Sequence, residues 1–401
     1  MPLNKSAIET IGRPNCTGCA ACAAVCRRKT AGMKESELGF WEPLNSSECK
    51  HSGTCIEICP VMHEELIHTA EPLVAYSAWS NSPDVIMESS SGGIFHEIAR
   101  LVIEAGGKVS GSVMKDNRPY HIISDDIEEV GGMRGSKYIQ SKTLEAFGQF
   151  PDLSGDSPFL FSGTPCQVAA AKNLWVFHKH NERNLITCDL ICHGVPSYLV
   201  YDSYAKHYSN KNKIISIDFR NKAFGWEKYS IRINYSNGKN RIILGKRDRF
   251  MRSYLADIGL RESCYHCKFS RIQRVGDITL GDFWGVPKHM RNKRGTSAII
   301  ANSEKGAQIL AQLEKEKRIT LKEVDINAIA KKNQRLLSGF LSMAKERKEF
   351  LDCLASKGMH IAYKQFVKPI WLRRRLHFIS YLANKGLGDF PSIFKNNFKG
   401  H

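Results

Sequence analysis

The sequence contains no apolar run long enough to span a bilayer, and residues 1–14 are polar and mixed. A secretory signal peptide needs a continuous apolar segment near the start, so we expect a cytoplasmic protein with reduced cysteines. Internal repeats and low-complexity tracts are also lacking, which excludes a repeat architecture. With 401 residues, 42% of them hydrophobic, the chain is long enough for two or three globular domains.

Acidic residues are scarce relative to basic ones. The chain has 40 Asp and Glu against 58 Lys and Arg, which gives a formal net charge of +18. Such a chain attracts anionic partners: a phosphate-bearing cofactor or substrate, an acidic electron carrier, nucleic acid or a lipid surface. No signature of a nucleic-acid-binding fold is present, so nucleic acid is the least favoured of these partners.

Cysteine, by contrast, is concentrated, because seven of the 13 cysteines lie in the first 59 residues. Their order is Cys16-x2-Cys19-x2-Cys22-x3-Cys26, followed by Cys49, Cys55 and Cys59-Pro60. This spacing is typical of loops that wrap cubane iron–sulfur clusters, with the fourth cysteine of each run serving the other cluster. Because the fourth cysteine of each run serves the other cluster, one 4Fe-4S cluster is assigned to Cys16, Cys19, Cys22 and Cys59. A second is assigned to Cys26, Cys49 and Cys55.

The second cluster site lacks one thiolate, because Ser52 stands where the regular spacing requires a cysteine. This cluster carries three irons, uses Ser52 or water as its fourth ligand, or is absent. Zinc is the main alternative for Cys-x2-Cys pairs, and disulfides are a further one. Four cysteines in one run, with a proline after Cys59, favour a cubane over a single tetrahedral metal.

From residue 71 onward, strands, loops and helices alternate, which predicts an α/β core with functional loops at strand ends. Strands are expected at 109–114, 158–162 and 185–192. An antiparallel part is expected at 214–220, 229–235 and 241–244, turning at Asn237-Gly238. The segment 71–82 is interpreted as a linker or edge strand, and the pattern beyond Ser303 predicts helices.

Three small-residue loops mark the core. The loop Ser89-Ser90-Ser91-Gly92-Gly93 is expected to cap the following helix, whose start also suits phosphate. The turn Gly135-Ser136-Lys137-Tyr138 joins a short acidic helix to an expected strand. Gly163-Thr164-Pro165-Cys166-Gln167 follows a strand and opens an alanine-rich helix, with Pro165 in its first turn.

Six cysteines lie outside the first 59 residues. Cys166 and Cys192 stand at strand ends, and Cys264-x2-Cys267 forms a knuckle-like turn. Because loops after neighbouring parallel strands converge, these four cysteines are candidates for one further cluster. Cys188 and Cys353 are interpreted as buried core residues.

The three loops, the stretch Cys192–Ser197 and the stretch Gly276–Gly285 together resemble, in order, the coenzyme F420 hydrogenase/dehydrogenase beta-subunit family. The resemblance covers residues from about 1 to about 330. It implies an iron–sulfur flavoprotein that carries FAD beside a core cluster held by Cys166, Cys192, Cys264 and Cys267. The candidate cofactor-binding residues are Ser89, Ser90, Ser91, Gly92, Gly93, Gly135, Ser136, Lys137, Tyr138, Thr164, Gln167, Asp277 and Asp282. The two aspartates are alternatively turn formers.

The resemblance also orders the chain into parts. These are a ferredoxin-like 4Fe-4S module (1–70), the family's N-terminal domain (71–160), its C-terminal domain (161–335) and a helical basic tail (336–401). The expected fold class is therefore α+β or α/β, with a dicluster module, a mixed α/β flavin-binding core and a basic tail. Within the tail, residues 371–382 predict a helix with Arg373, Arg374 and Arg375 at one end. It docks on its own protein, contacts an anionic membrane or a partner, or is disordered.

The expected function is an oxidoreductase in which a ferredoxin-like or other one-electron donor reduces two or three 4Fe-4S clusters and FAD. FAD then reduces an anionic organic substrate, since clusters move single electrons and most organic reductions need pairs. Many bacterial members of the family lie among surface-polysaccharide genes, so we expect that setting. The expected location is cytoplasmic, with contact of the basic tail with the inner face of the membrane as an alternative. The alternatives are a non-catalytic electron-transfer subunit, an F420-dependent oxidoreductase subunit and a zinc-stabilised binding protein.

Two residues are candidates for the chemistry. His193 is positioned to protonate a reduced substrate, or else caps the following helix or bonds a cluster sulfur. Lys137 fixes a phosphate or tunes the flavin, or else is a solvated surface lysine. The basic run 246–252 either receives a diphosphate or forms a solvated face.

Overall fold

A computed structural model describes residues 5–45, 49–63, 71–153, 155–209 and 212–374. Its helices are α1 (Ala7–Ile11), α2 (Ala21–Ala24), α3 (Thr54–Glu57), α4 (Pro83–Glu88), α5 (Ile94–Glu104), α6 (Ile127–Met133), α7 (Leu144–Gly148), α8 (Pro165–Phe177), α9 (Tyr198–Tyr208), α10 (Arg249–Tyr254), α11 (Glu262–Tyr265), α12 (Glu304–Lys315), α13 (Ile326–Ala330) and α14 (Arg347–Ala362). Its strands are β1 (Ala31–Glu35), β2 (Trp41–Asn45), β3 (Val74–Ser80), β4 (Lys108–Lys115), β5 (Arg118–Ser124), β6 (Phe159–Gly163), β7 (Leu185–Leu190), β8 (Ile214–Asn221), β9 (Ser230–Tyr235), β10 (Asn240–Leu244), β11 (Ile278–Asp282), β12 (Ser297–Ala301) and β13 (Ile319–Val324).

The largest sheet has eight strands in the order β13-β3-β12-β11-β7-β6-β4-β5. Its four central strands, β11, β7, β6 and β4, run parallel, and the flanking strands pair antiparallel. Helices pack on both faces, so the apolar run that was predicted as a buried strand lies at the centre as β7. The carboxyl ends of the parallel strands therefore meet at one edge, where ligands bind in such sheets.

Three predictions about this sheet were wrong. The segment 71–82 is neither a linker nor an edge strand, because β3 lies between β12 and β13. β13 falls in a stretch predicted as helical; its polar residues alternate on an edge strand, a weak signal in a Lys- and Glu-rich sequence. No strand follows Tyr138, since residues 139–143 contribute only an isolated bridge from Lys142 to Tyr120.

Strands from both expected core domains share this one sheet. β3, β4 and β5 come from before residue 160, and β6, β7, β11, β12 and β13 come after it. β4 pairs directly with β6, and β3 pairs with β12 and β13. The boundary expected between residues 160 and 161 therefore lies inside a continuous hydrogen-bonded sheet.

A second, antiparallel sheet has the order β10-β9-β8, as the sequence predicted. Its hairpin turns at Asn237-Gly238, where Gly238 has φ +77°. The inner face packs with α9, α10 and α14 around the buried aromatic side chains of Phe219, Tyr204 and Phe250. This second core supports the loop that carries Cys264 and Cys267.

The N-terminal module packs on the carboxyl edge of the large sheet through α8. Alanines on both helices, Ala21 in α2 and Ala169 to Ala171 in α8, are buried in one apolar cluster with Cys19 and Cys59. Small side chains let the two helices approach closely. Polar contacts come from the core: Asn173 donates to the carbonyl of Ile58 at 3.1 Å.

The chain remains helical from α14 through a short π-helical turn to residue 374. Trp371 donates its Nε1–H to the carbonyl of Arg252 at 3.0 Å, and Arg374 donates to the carbonyl of Leu255 at 2.7 Å. This part of the tail docks on its own protein, while Leu372 is 48% exposed. The rest of the predicted tail helix lies outside the described residues. Within the described part, no helix is long and apolar enough to cross a membrane.

A buried ion pair holds the turn that precedes β11. Asp189 and Arg274 have side chains 0% and 1% exposed, with 3.1 Å between Oδ1 and Nη2. Asp189 also accepts the backbone N–H groups of Val275 and Gly276. The carboxylate thus fixes the turn that leads into the central strand.

We expect Asp189→Ala to lower the free energy of unfolding by about 3–5 kcal/mol, because it leaves the Arg274 guanidinium buried without its counter-charge. Urea unfolding followed by circular dichroism measures this change. The matched control is Lys348→Ala, which breaks an exposed pair with Asp352 on α14 and should leave the unfolding midpoint unchanged. Equal midpoints for the two variants would contradict the role of Asp189.

Candidate functional site

A cavity of about 320 Å³ lies where the central parallel strands end. Gly163, Leu190 and Asp282, the last residues of β6, β7 and β11, all line it. The loops that follow β6 and β7 add residues 164–167 and 191–195 to the wall, as expected for a site at the carboxyl edge of a parallel sheet.

Four cysteines line this cavity together: Cys166, Cys192, Cys264 and Cys267. Cys166 follows β6 at the start of α8, where Thr164 and Gln167 form a capping box. Gly194 has φ +145°, and a Cβ there would lie 3.3 Å from Cβ of Cys264. Glycine therefore lets the loop after β7 approach the Cys264 turn closely.

Three thiols of this set, those of Cys166, Cys192 and Cys264, are disfavoured as isolated anions. Burial raises the pKa of Cys264 to about 11, and burial also raises the pKa values of Cys166 and Cys192. The neighbouring thiols raise these pKa values in addition. The four cysteines of the set converge without a disulfide, since all 13 cysteines are free, which suits ligands whose charge is neutralised by bound iron.

Three buried arginines, Arg261, Arg274 and Arg335, line the same cavity. The Nε atoms of Arg261 and Arg335 are buried without a hydrogen-bond partner among the described residues. Unsatisfied buried donors are costly, so this wall favours an anionic group. The four thiols and these donors together fit a thiolate-bound iron–sulfur cluster, which carries negative charge.

A second, smaller cavity of about 20 Å³ is lined by the first cysteine set, Cys16, Cys19, Cys22 and Cys59. The structure thus brings Cys59 to the first run across the intervening hairpin. Thr17 lies between the sites, because it lines both cavities.

Side chains of the core hold the first cysteine loop by its backbone. Gln140 donates to the carbonyl of Gly18 at 2.9 Å, and Thr143 donates to that of Cys19 at 2.7 Å. Arg261 and Ser263 both donate to the carbonyl of Cys16. The loop is therefore fixed relative to the large cavity.

The thiol groups form a continuous series. Burial raises the pKa of Cys166, and the thiol of Cys19 is among the neighbours that raise it further. In the same way burial and the thiols of the first set, together with Cys55, raise the pKa of Cys22. Neighbouring sites therefore lie within electrostatic range of each other.

The remaining N-terminal cysteines, Cys26, Cys49 and Cys55, lie at the far end of this series. Burial raises the pKa of Cys55, and the thiols of Cys49 and Cys26 contribute. Cys26 accepts the backbone N–H of Ala31 at 3.3 Å. Ser52 is exposed and bonds Thr54 through its hydroxyl at 3.4 Å.

The serine loop and the Gly135 turn meet at the cavity. Ser90 Oγ accepts the backbone N–H of Ser136 at 2.7 Å and contacts its hydroxyl at 2.9 Å. The expected serine cap is absent, because α5 begins after Gly93 and its N-cap has no side-chain hydrogen bond. The serines instead shape the cavity wall, and Ser91 bonds the carbonyl of Thr296.

Lys137 is not a solvated lysine. Its Nζ donates to the carbonyls of Gly132, Met133 and Arg134, the last at 2.7 Å, and so caps the C-terminus of α6. Burial lowers the pKa of Lys137 to about 7. Lys137 also lines the cavity.

His193 follows Cys192 and lines the cavity. Its Nε2 lies 2.5 Å from Oδ1 of Asp257, and its ring packs against Tyr254. Oδ2 of Asp257 also lies 3.6 Å from Nη2 of Arg374 at the end of the described tail. The hydrogen bond to Asp257 orients the imidazole.

The other predicted cofactor residues divide into two groups. Tyr138, Thr164, Gln167 and Asp282 line the cavity, as do the residues of the serine loop and the Gly135 turn except Gly92. Asp282 accepts from Arg220 at 2.9 Å. Asp277 lies outside the lining and bonds Thr187 and Ser303, so it acts as a turn former.

Several site residues escaped the sequence analysis: Asp257, Arg261, Arg335 and Lys222, which donates to the carbonyls of Ile86 and Ser91. Only Arg261 had a local signal, because it precedes Cys264 by three residues. The basic run 246–252 does not line the cavity; Arg249 bonds His207 and His360 instead.

Comparison with known families identifies the class. The model that describes the C terminus of the coenzyme F420 hydrogenase/dehydrogenase beta subunit matches residues 157–327. The model that describes the N terminus of the same beta subunit matches residues 75–147. Together these matches cover more than half of the chain. The family name describes parts of oxidoreductases. The chain belongs to the coenzyme F420 hydrogenase/dehydrogenase beta-subunit family, as its motifs predicted.

Individual relatives are more distant. The coenzyme F420-dependent sulfite reductase of Methanocaldococcus jannaschii is 24% identical over 336 residues, covering 79% of this chain and 49% of that protein. The chain therefore spans about half the length of this curated relative. A xenon-derivatised F420-reducing [NiFe] hydrogenase complex from Methanosarcina barkeri contains a similar chain, with a TM-score of 0.46 and 16% identity. That match covers 66% of this chain and 89% of the other.

Gly18 tests the docking of the first cysteine loop. It has φ +68°, and a Cβ there would lie 2.4 Å from the carbonyl oxygen of Trp41 and 2.6 Å from Nε2 of Gln140. We expect Gly18→Ala to cost about 1–2 kcal/mol for its backbone, with further loss because the neighbours must move. Urea unfolding followed by tryptophan fluorescence measures the change.

Gly106→Ala is the matched control, because Gly106 has φ +74° but open space around the added Cβ. It should show the backbone cost alone. A Gly18→Ala loss no larger than that of Gly106→Ala would show that the loop is not tightly held.

Proposed function

We propose that this chain is an iron–sulfur flavoprotein oxidoreductase that uses 4Fe-4S clusters and FAD to reduce an anionic organic substrate. The observation that carries the proposal is the shared cavity, because four cysteines, the serine loop and the Gly135 turn all line it. The series of thiols from Cys55 to Cys166 supports electron entry through the N-terminal module.

Zinc is the less suitable occupant of these thiols. Within the described ranges, no three His, Cys, Asp or Glu side chains are arranged to hold a single metal ion. A zinc ion draws its sulfur ligands to about 2.3 Å. A cubane is several atoms across and holds its thiolates farther apart, which suits thiols that line cavities.

When bound, the clusters move single electrons and FAD couples them to two-electron reduction. Cys166, Cys192, Cys264 and Cys267 would hold the core cluster, and the buried arginines offset its charge. The serine loop and the Gly135 turn present hydroxyl and backbone groups for the flavin.

His193 is the proposed proton donor in this mechanism. Its Nε2–H donates to Asp257, which leaves Nδ1 to take up a proton and to deliver it to the reduced substrate. Because Asp257 is held by Arg374 as well, the imidazole keeps one orientation at the cavity wall.

The proposed electron donor is a ferredoxin-like protein or another acidic one-electron carrier. We call Cys26, Cys49 and Cys55 the distal cysteines. Exposed basic residues flank them: Arg27, Arg28 and Lys29 follow Cys26, and Lys50 follows Cys49. Opposite charge steers such carriers to the surface nearest the electron entry point.

For the substrate we propose anionic intermediates of surface-polysaccharide synthesis, such as nucleotide sugars or lipid-linked sugars. The formal net charge of +18 supports an anionic substrate. Exposed basic residues at the end of the described tail, such as Arg373, support contact with the inner face of the membrane.

The second candidate function is electron exchange with coenzyme F420. The family description and the name of the curated relative favour it. Direct addition of reduced F420 to the protein separates the two candidates, because only the F420-dependent function predicts rapid flavin reduction by it.

Metal and flavin content of the anaerobically purified protein tests the proposal. We expect about eight to twelve irons, matching acid-labile sulfide and one FAD per chain. Cys166→Ser should lose about four irons, whereas Cys353→Ser, at a buried core position away from the cavity, should lose none. Zinc without iron or flavin would overturn the proposal.

Charge reversal tests the donor surface. We expect the double variant Arg27→Glu with Arg28→Glu to slow reduction by an acidic ferredoxin at least about 10-fold at low salt, because steering is lost. Stopped-flow bleaching of the visible absorbance measures the rate. The control, Lys239→Glu with Lys345→Glu, changes two exposed lysines elsewhere by the same charge. Equal rates in the two double variants would contradict this docking surface.

A further inference from the structure

The distal cysteine set is one ligand short of a complete cubane site. Cys26, Cys49 and Cys55 supply three thiols, and position 52 holds a serine. Ser52 is a poor candidate in this structure, because its side chain is exposed and its hydroxyl contacts Thr54. A neutral hydroxyl is also a weaker ligand for iron than thiolate or imidazole.

His51 lies beside the thiol of Cys49. Its Nδ1 lies 3.9 Å from Sγ of Cys49, and its side chain is only 33% exposed. The backbone of His51 has φ +49°, a left-handed conformation that is uncommon outside glycine. In this conformation the imidazole lies beside Cys49 while Ser52 faces solvent.

The first helix joins His51 to the same site. The backbone N–H of Ala7 donates to Sγ of Cys55 at 3.3 Å, which fixes that thiol beside α1. Two residues further along α1, Oε2 of Glu9 lies 4.0 Å from Nδ1 of His51. In a metal-binding histidine the carboxylate faces the ring nitrogen that does not bind the metal, so Glu9 assigns Nδ1 to this role and leaves Nε2 as the nitrogen for iron. Among the described residues, no partner contacts the other nitrogen, Nε2.

We propose that His51 is the fourth ligand of the distal cluster, which is then held by three cysteines and one histidine. This inference rests on the proposed function, because it concerns a cluster of the N-terminal module. The donor set fits iron, since imidazole ligands occur at iron–sulfur clusters alongside thiolates.

The substitution has an electrostatic consequence. A neutral imidazole in place of a thiolate makes the cluster less negative by one charge, so the cluster accepts an electron more readily. The exposed cations Arg27, Arg28 and Lys50 act in the same direction. The distal cluster therefore has a higher reduction potential than an all-cysteine cluster in the same position.

Magnetic resonance detects the ligand directly. The full-length protein is purified anaerobically with ¹⁵N-labelled histidine, reduced with dithionite and measured by pulsed electron paramagnetic resonance. We expect a strong nitrogen coupling to one cluster in the wild type, which carries about twelve irons. His51→Ala should abolish the coupling, whereas the matched variant Ser52→Ala should keep both the coupling and the iron content.

The variant His51→Cys distinguishes the loss of a ligand from simple misfolding of the loop. It should restore the full iron content without nitrogen coupling, and its distal cluster should have a lower reduction potential than the wild type. Coupling that persists in His51→Ala, or cluster loss in Ser52→Ala, would overturn the assignment. So would a wild type with about eight irons, one FAD and no coupling.

The two proposals fail in different ways. About eight irons with FAD would leave the oxidoreductase proposal standing and remove only the histidine ligand. A protein without iron and flavin would remove both.

Discussion

The buried guanidinium of Arg261 is the interaction on which the arrangement of the sites depends. It donates to the carbonyls of Cys16 and Trp41 and to the side chain of Gln140, and it lines the large cavity. One side chain thus joins the first cysteine loop, the N-terminal hairpin and the core. Because it is 2% exposed, these contacts are made in a low-dielectric environment where hydrogen bonds to a charged group are strong.

This attachment gives the molecule a fixed internal order. Three groups of cysteines follow one another inward: the distal cysteines, the first cysteine set, and the four cysteines of the large cavity. The last group lies beside His193 and the serine loop. The parallel strands determine where the series ends, since Cys166 and Cys192 both follow central strands. The antiparallel sheet holds the Cys264 turn against them from the other side. Two separate hydrophobic cores therefore meet at the cavity, and neither could form it alone.

Local patterns in the sequence predicted the parts of this arrangement that depend on neighbours along the chain. Cysteine spacing, the apolar run of β7 and the Asn237-Gly238 turn each specify their own structure. The rest depends on contacts between distant segments. Asp257 meets His193 across 64 positions, and no periodicity marks it. β13 was missed because an exposed edge strand needs few apolar residues, so its composition resembles a polar helix.

The side-chain hydrogen bonds that hold the N-terminal module have one common property. The core supplies the donors, from Gln140, Thr143, Asn173, Arg261, Ser263 and Lys268, and the module accepts them with backbone carbonyls. Every amino acid has a carbonyl, so these hydrogen bonds alone do not select the module's side chains, whereas the close approaches at Gly18 and Ala21 do. Module residues away from these close approaches can therefore change while the hydrogen bonds to the core remain. A serine in place of a cysteine at position 52 is a change of this kind.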